Sequence, residues 1–360
     1  MQLRQTLQDI VCNIEIEESK FRIRHYHFPP IEIDHNNMVQ LKKLPQKIQY
    51  EYINSKLLEF IYGIYFEGSG VTEENFETDN NEQVLKKIAS KGIDWEFYEE
   101  LEKNNKGQGW YHPSFHILRQ EVDGSLIAEF DNGILQILRE RHLPVALQSA
   151  IVNDAISIFL PSSFINKSRY RVTGDGFGGL PPAKNFYYTL LVYFNFSSEA
   201  AVFAMNCITT EFNAIKLPFV FEVLHNPLNY RFYNSGILKV FSEKYDSKLY
   251  KKFILPLLRT IYEDNKSHFR EEIPIFTKKI APGIGLSERP NSQIKFRNII
   301  DSEGSYCEFV ADALIEAHQN QDNSSQSRME YILRKFEKYG IDIERPYLNP
   351  NAEDIYTPLV

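Results

Sequence analysis

The chain has 360 residues, 43% of them hydrophobic, enough apolar material for one large domain or two modest ones, and this excludes global disorder. Acidic residues outnumber basic ones 48 to 40, giving a net charge of −8, and no Lys/Arg block supplies the stripe that a nucleic-acid backbone requires. Three cysteines without a C-x-x-C spacing, Cys12, Cys207 and Cys307, point to a reducing cytoplasm. No signal-peptide core opens the sequence and no eighteen-residue apolar run follows, so neither that secretion route nor a membrane span is expected.

The 26 Phe and 21 Tyr fall in short β-branched or aromatic runs, which suit pleated surfaces better than a helical bundle. The expected fold class is α+β, a mixed or antiparallel sheet with flanking helices. Residues 8 to 28 read as one or two strands, stopped by Pro29-Pro30. From Leu41 to Tyr65 the apolar positions near a 3.6 period predict a helix that stops at Gly68 to Gly70. An exposed acidic loop is expected over 71 to 83, then helical spacing from Val84 to Leu101. Asp123-Gly124 and Asn132-Gly133, set between apolar runs, signal hairpins, because both pairs favour positive φ.

Ala155 to Leu160 and Tyr187 to Phe196 read as buried strands around a Gly/Pro-rich passage, Gly174 to Pro182, the best candidate for a mobile site loop. Ser197 or Ser198 should cap a helix running to Asn213, and strands follow at Phe219 to Leu224 and Ile237 to Phe241. Helices are predicted over Leu249 to Tyr262 and Phe309 to His318, and the polar run after Gln319 reads as a linker. The working division is residues 1–104 as a strand and helical region, 105–318 as the α+β core, and 319–360 as linker and tail. No sharp boundary separates the first two.

Four ordered segments carry a resemblance: Asn105-Lys-Gly-Gln-Gly-Trp110 with the strand after it, Leu190-Leu-Val-Tyr-Phe-Asn195, the stretch from Phe212 to Arg231 containing Phe-Glu-Val-Leu, and Ala281-Pro-Gly-Ile-Gly-Leu-Ser-Glu-Arg-Pro290. Together they resemble the HopA-type family, which includes type III secretion effectors and the lyase components of class V lanthipeptide synthetases. The resemblance implies a phosphothreonine lyase-like fold and β-elimination of phosphate from phosphorylated Ser or Thr of a ribosomal precursor peptide. It also implies that peptide and its kinase as partners, and no cofactor. The alternative is a catalytically inactive relative that binds a peptide or partner enzyme. A host-directed effector role is set aside, since no secretion context is readable.

Elimination needs a base, an acid and cations that neutralise a phosphate dianion. Where the family shows cations, this chain has Leu191, Glu222 and Tyr306. At an effective dielectric near 20, a carboxylate about 4 Å from phosphate costs roughly 4 kcal/mol, several powers of ten in affinity. Relocated phosphate-binding candidates are Arg169 and Arg171, on one face of an extended strand or on a solvated edge strand, with Arg231, Lys106 and Lys278; Lys279 and Arg289 also flank the fourth segment. His112 and His116 are candidates for the general acid, or are simply packed histidines. The amides of Gly107 and Gly109, beside Lys106, would cradle a phosphate or serve only a hairpin. Pro282, Gly283 and Glu288 form the signature, with Glu288 expected to order the Pro282-Gly283 turn or to meet basic groups of a substrate. The His112/His116 spacing lacks the glutamate of a zinc-protease motif, so no metal is expected, and His25 and His27 read as ordinary strand alternation.

Overall fold

The computed structural model describes residues 2–33, 35–69, 93–130, 133–177, 188–242, 247–288 and 305–359. Helix α1 (Gln2–Asn13) leads into a small antiparallel sheet of β1 (Ile14–Glu17), β2 (Arg22–His25) and β3 (Phe28–Ile31). The all-strand expectation for residues 8 to 28 is therefore corrected. Leu3, Leu7, Ile10 and Val11 fall at helical intervals in α1, a period that begins before residue 8, so a window opening there holds only its end. Helices α2 (His35–Leu41) and α3 (Gln46–Ile61) follow, and a π turn over Tyr62–Glu67 ends at Gly68, as the sequence predicts. The acidic loop at 71 to 83 lies outside the described residues; Asp94 then caps α4 (Trp95–Asn104) by accepting from the Phe97 amide.

Strands β4 (Trp110–Gln120), β5 (Leu126–Phe130), β6 (Gly133–Ile137) and β7 (Ala155–Leu160) form a four-stranded antiparallel sheet, ordered β6-β5-β4-β7, over its own apolar cluster. Gly124, at φ +86, makes the β4–β5 turn that Asp123-Gly124 predicts, and Asp123 accepts from the Ser125 amide at 2.9 Å. Asn132 lies outside the described residues. In β7, Ile156 and Ile158 are buried but Ala155 is exposed, so this strand is covered on one face only.

The central sheet has seven antiparallel strands in the order β13-β14-β10-β12-β11-β9-β8: β8 (Ser163–Asn166), β9 (Arg169–Thr173), β10 (Tyr188–Phe194), β11 (Phe219–Leu224), β12 (Gly236–Ser242), β13 (Lys278–Ala281) and β14 (Ile284–Glu288). Its middle strands are apolar on both faces because helices cover both. One face carries Leu190, Val192, Phe194, Phe221 and Leu238 against α4, α5 (Ser198–Ala214) and α6 (Leu255–Asp264). The other places Leu191, Tyr193 and Ile237 against α1, α3, α7 (Ser305–Gln319) and α8 (Ser325–Lys338). Ser197 caps α5 through the Ala200 amide, and Pro256, without an amide proton, follows a π turn over Tyr250–Ile254 at the start of α6.

The molecule is thus α+β, with antiparallel sheets. The residues beyond Gln319 hold α8, capped by Ser324, and an extended segment that joins both cores. Ile341 enters the cluster beneath α3 and α7, whereas Leu348, Ile355, Tyr356 and Leu359 enter the opposite one. No helix among the described residues is long and apolar enough to cross a membrane.

Candidate functional site

Period-two alternation sends Glu222, Arg171 and Lys239 to one face of three neighbouring strands. Glu222 on β11 stands opposite Arg171 on β9, and Lys239 on β12 is opposite Val220, one step along the ladder. The Glu222 carboxylate accepts both cations: Arg171 Nη1 lies 3.3 Å from Oε1, and Lys239 Nζ 3.3 Å from Oε2. Its side chain is 7% exposed, against 25% and 17% for the two cations, so the trio is largely desolvated and carries one net positive charge. Arg171 also stacks 5.5 Å over the Phe164 ring, and its buried Nε makes no hydrogen bond among the described residues.

Arg169 shares this face but serves another end. It donates to the carbonyls of Asn234 at 2.9 Å and Ser235 at 3.4 Å, bracing the approach to β12. β9 is paired on both sides, by β8 and β11, which removes the edge-strand reading of the two arginines.

The other expected site residues do not join this cluster. Arg231 is exposed and lies over the Phe232 ring. The Lys106 ammonium donates to the Lys103 carbonyl at 3.0 Å. Of the two glycine amides, that of Gly107 is already occupied, donating to the Asn105 side chain at 2.9 Å, and between the glycines the Gln108 amide donates to Asp175 at 3.0 Å, so Asp175 supplies an internal anion there. His112 is buried, its Nδ1 2.7 Å from the Pro113 carbonyl and its ring edge-on to Phe115, whereas His116 is exposed. No group of three metal-ligating side chains is found among the described residues.

In the fourth segment, Gly283 has φ +67, and a Cβ there would sit 2.5 Å from the Arg270 carbonyl oxygen. The Pro282-Gly283 turn is held by the Asn195 amide, which donates to the Gly283 carbonyl at 2.8 Å. Glu288 does accept a backbone hydrogen bond, but from Asn349 at 2.8 Å, and the Tyr356 hydroxyl donates to it at 3.0 Å. Its partners therefore lie in the C-terminal segment, which corrects the assignment to the turn. Lys278 pairs with Asp354 at 2.6 Å, and Lys279 with Glu271. Burial pushes the Asp354 carboxyl up, but hydrogen bonds from Lys278 and Tyr347 outweigh it and hold the group below the usual range. Arg289 lies outside the described residues.

Of the positions where the resemblance implies cations, Leu191 and Tyr306 are core residues, and burial pushes the Tyr306 phenol up to about 12. Lys239, which completes the cluster, is not among the residues expected from the sequence; only the pairing of β11 with β12 brings it to Glu222.

A cavity of about 640 Å³ opens elsewhere, between α1, β2, the π turn and the Glu272–Lys279 segment. On its wall the His27 amide donates to His25 Nδ1 at 3.1 Å, which leaves the ring proton on Nε2, 3.0 Å from the Tyr65 hydroxyl. Tyr65 in turn donates to Asp9 Oδ2 at 2.6 Å, and Asn13 to Oδ1. Burial holds the His25 pKa below its ordinary value and raises that of Tyr65, so both stay neutral. The strand-alternation reading of His25 and His27 missed this network, because Asp9 and Tyr65 arrive from other elements.

The model of the HopA1 effector protein family matches residues 161–348, more than half of the chain, and the chain belongs to that family. Arg169, Arg171, Glu222, Arg231, Lys278 and Glu288 fall inside the matched span; Lys106, His112 and His116 precede it. Similar solved structures include the effector protein from Pseudomonas syringae pv. tomato strain DC3000, 12% identical, covering 71% of this chain and 80% of that one at a TM-score of 0.39. The effector protein from Pseudomonas syringae pv. syringae strain 61 is 10% identical and covers 82% of this chain and 95% of that one, also at 0.39. No curated protein matches.

Proposed function

We propose that this chain binds a peptide, in the first instance a ribosomal precursor peptide, without eliminating phosphate from it. The observation that supports this reading is the Glu222 carboxylate, buried between Arg171 and Lys239 at 3.3 Å from each. A phosphate dianion entering there would meet two cations that already share one carboxylate, leaving a single net positive charge against its two, and a carboxylate of its own sign. The test is purified protein mixed with peptide phosphorylated by a cognate kinase and followed by mass spectrometry. Intact phosphopeptide is the expected product; a dehydrated peptide refutes the reading.

The convergence of Arg171 and Lys239 favours a second reading, a phospho-Ser/Thr lyase. With Glu222 turned aside, a neutral Lys239 would take the α-proton, the C–H electron pair would form the Cα=Cβ bond, and phosphate would leave with the Cβ–O electrons towards Arg171. Lys239→Met would then abolish dehydration while leaving peptide binding in place.

A further inference from the structure

The wall of the large cavity carries three cations and three carboxylates, but only Arg4 and Glu344 among them pair with each other. Arg4 pairs with Glu344 at 2.6 Å, Lys278 with Asp354 and Lys279 with Glu271, so each cation on the wall already holds a carboxylate. Asp9 and Glu272, on the same wall, have no cationic partner among the described residues. His25 lies 3.5 Å from Asp9, but burial lowers its pKa and so favours the neutral ring. Asp9 remains 39% exposed, and its hydrogen bonds from Tyr65 and Asn13 fix the carboxylate without cancelling its charge. Glu272, exposed at the rim, lies close enough to Tyr233 to add to burial in pushing that phenol up. The wall therefore joins two uncompensated carboxylates to the aromatic rings of Phe28, Tyr65 and Tyr233.

That combination selects a cation with a flat face. A guanidinium offers five donors in a planar fork for carboxylates, stacks on aromatic rings, and gives up water more readily than an ammonium. The volume accommodates one long side chain with its flanking backbone. We propose that this cavity recognises an arginine side chain of a bound peptide, with Asp9 and Glu272 taking the guanidinium between the tyrosine rings. The proposal rests on the peptide-binding reading for the existence of a peptide partner, but it uses none of the Glu222 cluster.

The test uses the full chain and capped Gly-Gly-Arg-Gly-Gly, with counterparts carrying citrulline, lysine or phosphoserine at the centre, and ligand-observed NMR titration. The arginine peptide should bind, the lysine peptide more weakly, the citrulline peptide roughly tenfold or more weaker, and the phosphoserine peptide not at all. Glu272→Gln should weaken the arginine peptide about tenfold, and Asp9→Asn at least as much. Because Asp9 also supports Tyr65 and His25, Glu272→Gln carries the test if the Asp9 variant unfolds. Absence of binding by any peptide, equal binding of citrulline and arginine, or an indifferent Glu272→Gln overturns the proposal. Preferential binding of phosphoserine overturns it too, making Arg4 and Lys278 the ligands. Failure here leaves the phosphopeptide experiment unaffected, since none of these peptides reports on elimination.

Discussion

Replacing Glu222 by glutamine keeps the side chain's shape, removes its charge and turns one of its two acceptor oxygens into an NH2 donor facing a cation. Each 3.3 Å contact is worth about 5 kcal/mol gross at an effective dielectric near 20, most of it offset by the desolvation already incurred. What the variant loses is the compensation of Arg171 and Lys239, left charged while 25% and 17% exposed, and removal of one partner of such a pair costs roughly 3–5 kcal/mol. At roughly 2.1 cal/mol/K of unfolding entropy per residue, 360 residues convert that to a fall of about 4–7 °C in Tm. Differential scanning calorimetry at low salt measures it. Sulfate should then raise the Tm of the variant more than that of the parent, because it replaces the missing anion. A fall of less than about 1 °C, with no selective response to sulfate, would refute the argument that Glu222 offsets the charge of Arg171 and Lys239.

Other consequences follow from buried groups. His25 has a lowered folded pKa, so its contribution to stability is complete above the unfolded value near 6.5 and is lost as pH falls through the folded one. Melts of the parent and His25→Gln between pH 8 and 5 should converge towards acid; divergence would contradict the assignment. Among the cysteines, exposed Cys12 should react rapidly with a thiol reagent and half-buried Cys207 more slowly, whereas buried Cys307, its thiol pushed up by burial, should react only on unfolding. Labelling of Cys307 in the native protein would show the core there to be open. Glu288→Ala removes the acceptor for Asn349 and Tyr356 and should cost roughly 2–4 kcal/mol, with protease cleavage appearing first between 341 and 359. Uniform cleavage elsewhere would show that Glu288 does not hold this segment.

The regular elements were legible wherever one residue period ran uninterrupted. The helix Ser198–Ala214 with its Ser197 cap, the Asp123-Gly124 turn and the strands at 219–224 and 237–241 all stand where the sequence places them. Residues 8 to 28 failed because a helix and a strand meet at Asn13 and Ile14, and an apolar pair such as Ile10-Val11 suits either. The site was legible only in part. Spacing puts Arg169 and Arg171 on one face, but it cannot show that Arg171 meets a carboxylate while Arg169 meets carbonyls, since the partners come from another strand and from the turn before β12. Glu288 stands out by its place in the 281–290 signature, yet its partners lie 61 and 68 residues further on, a separation that no local pattern encodes.

Strand β10 sends Leu190, Val192 and Phe194 into one core and Leu191 and Tyr193 into the other, so a single strand serves as the common wall of both. Neither half can melt alone without wetting the back of its neighbour's partition, which binds the two layers into one cooperative unit. A recombinant chain that took one layer from a distant relative would have to inherit this wall with both of its faces matched, and inheritance in blocks is thereby confined to the four-stranded sheet, which keeps an apolar cluster of its own.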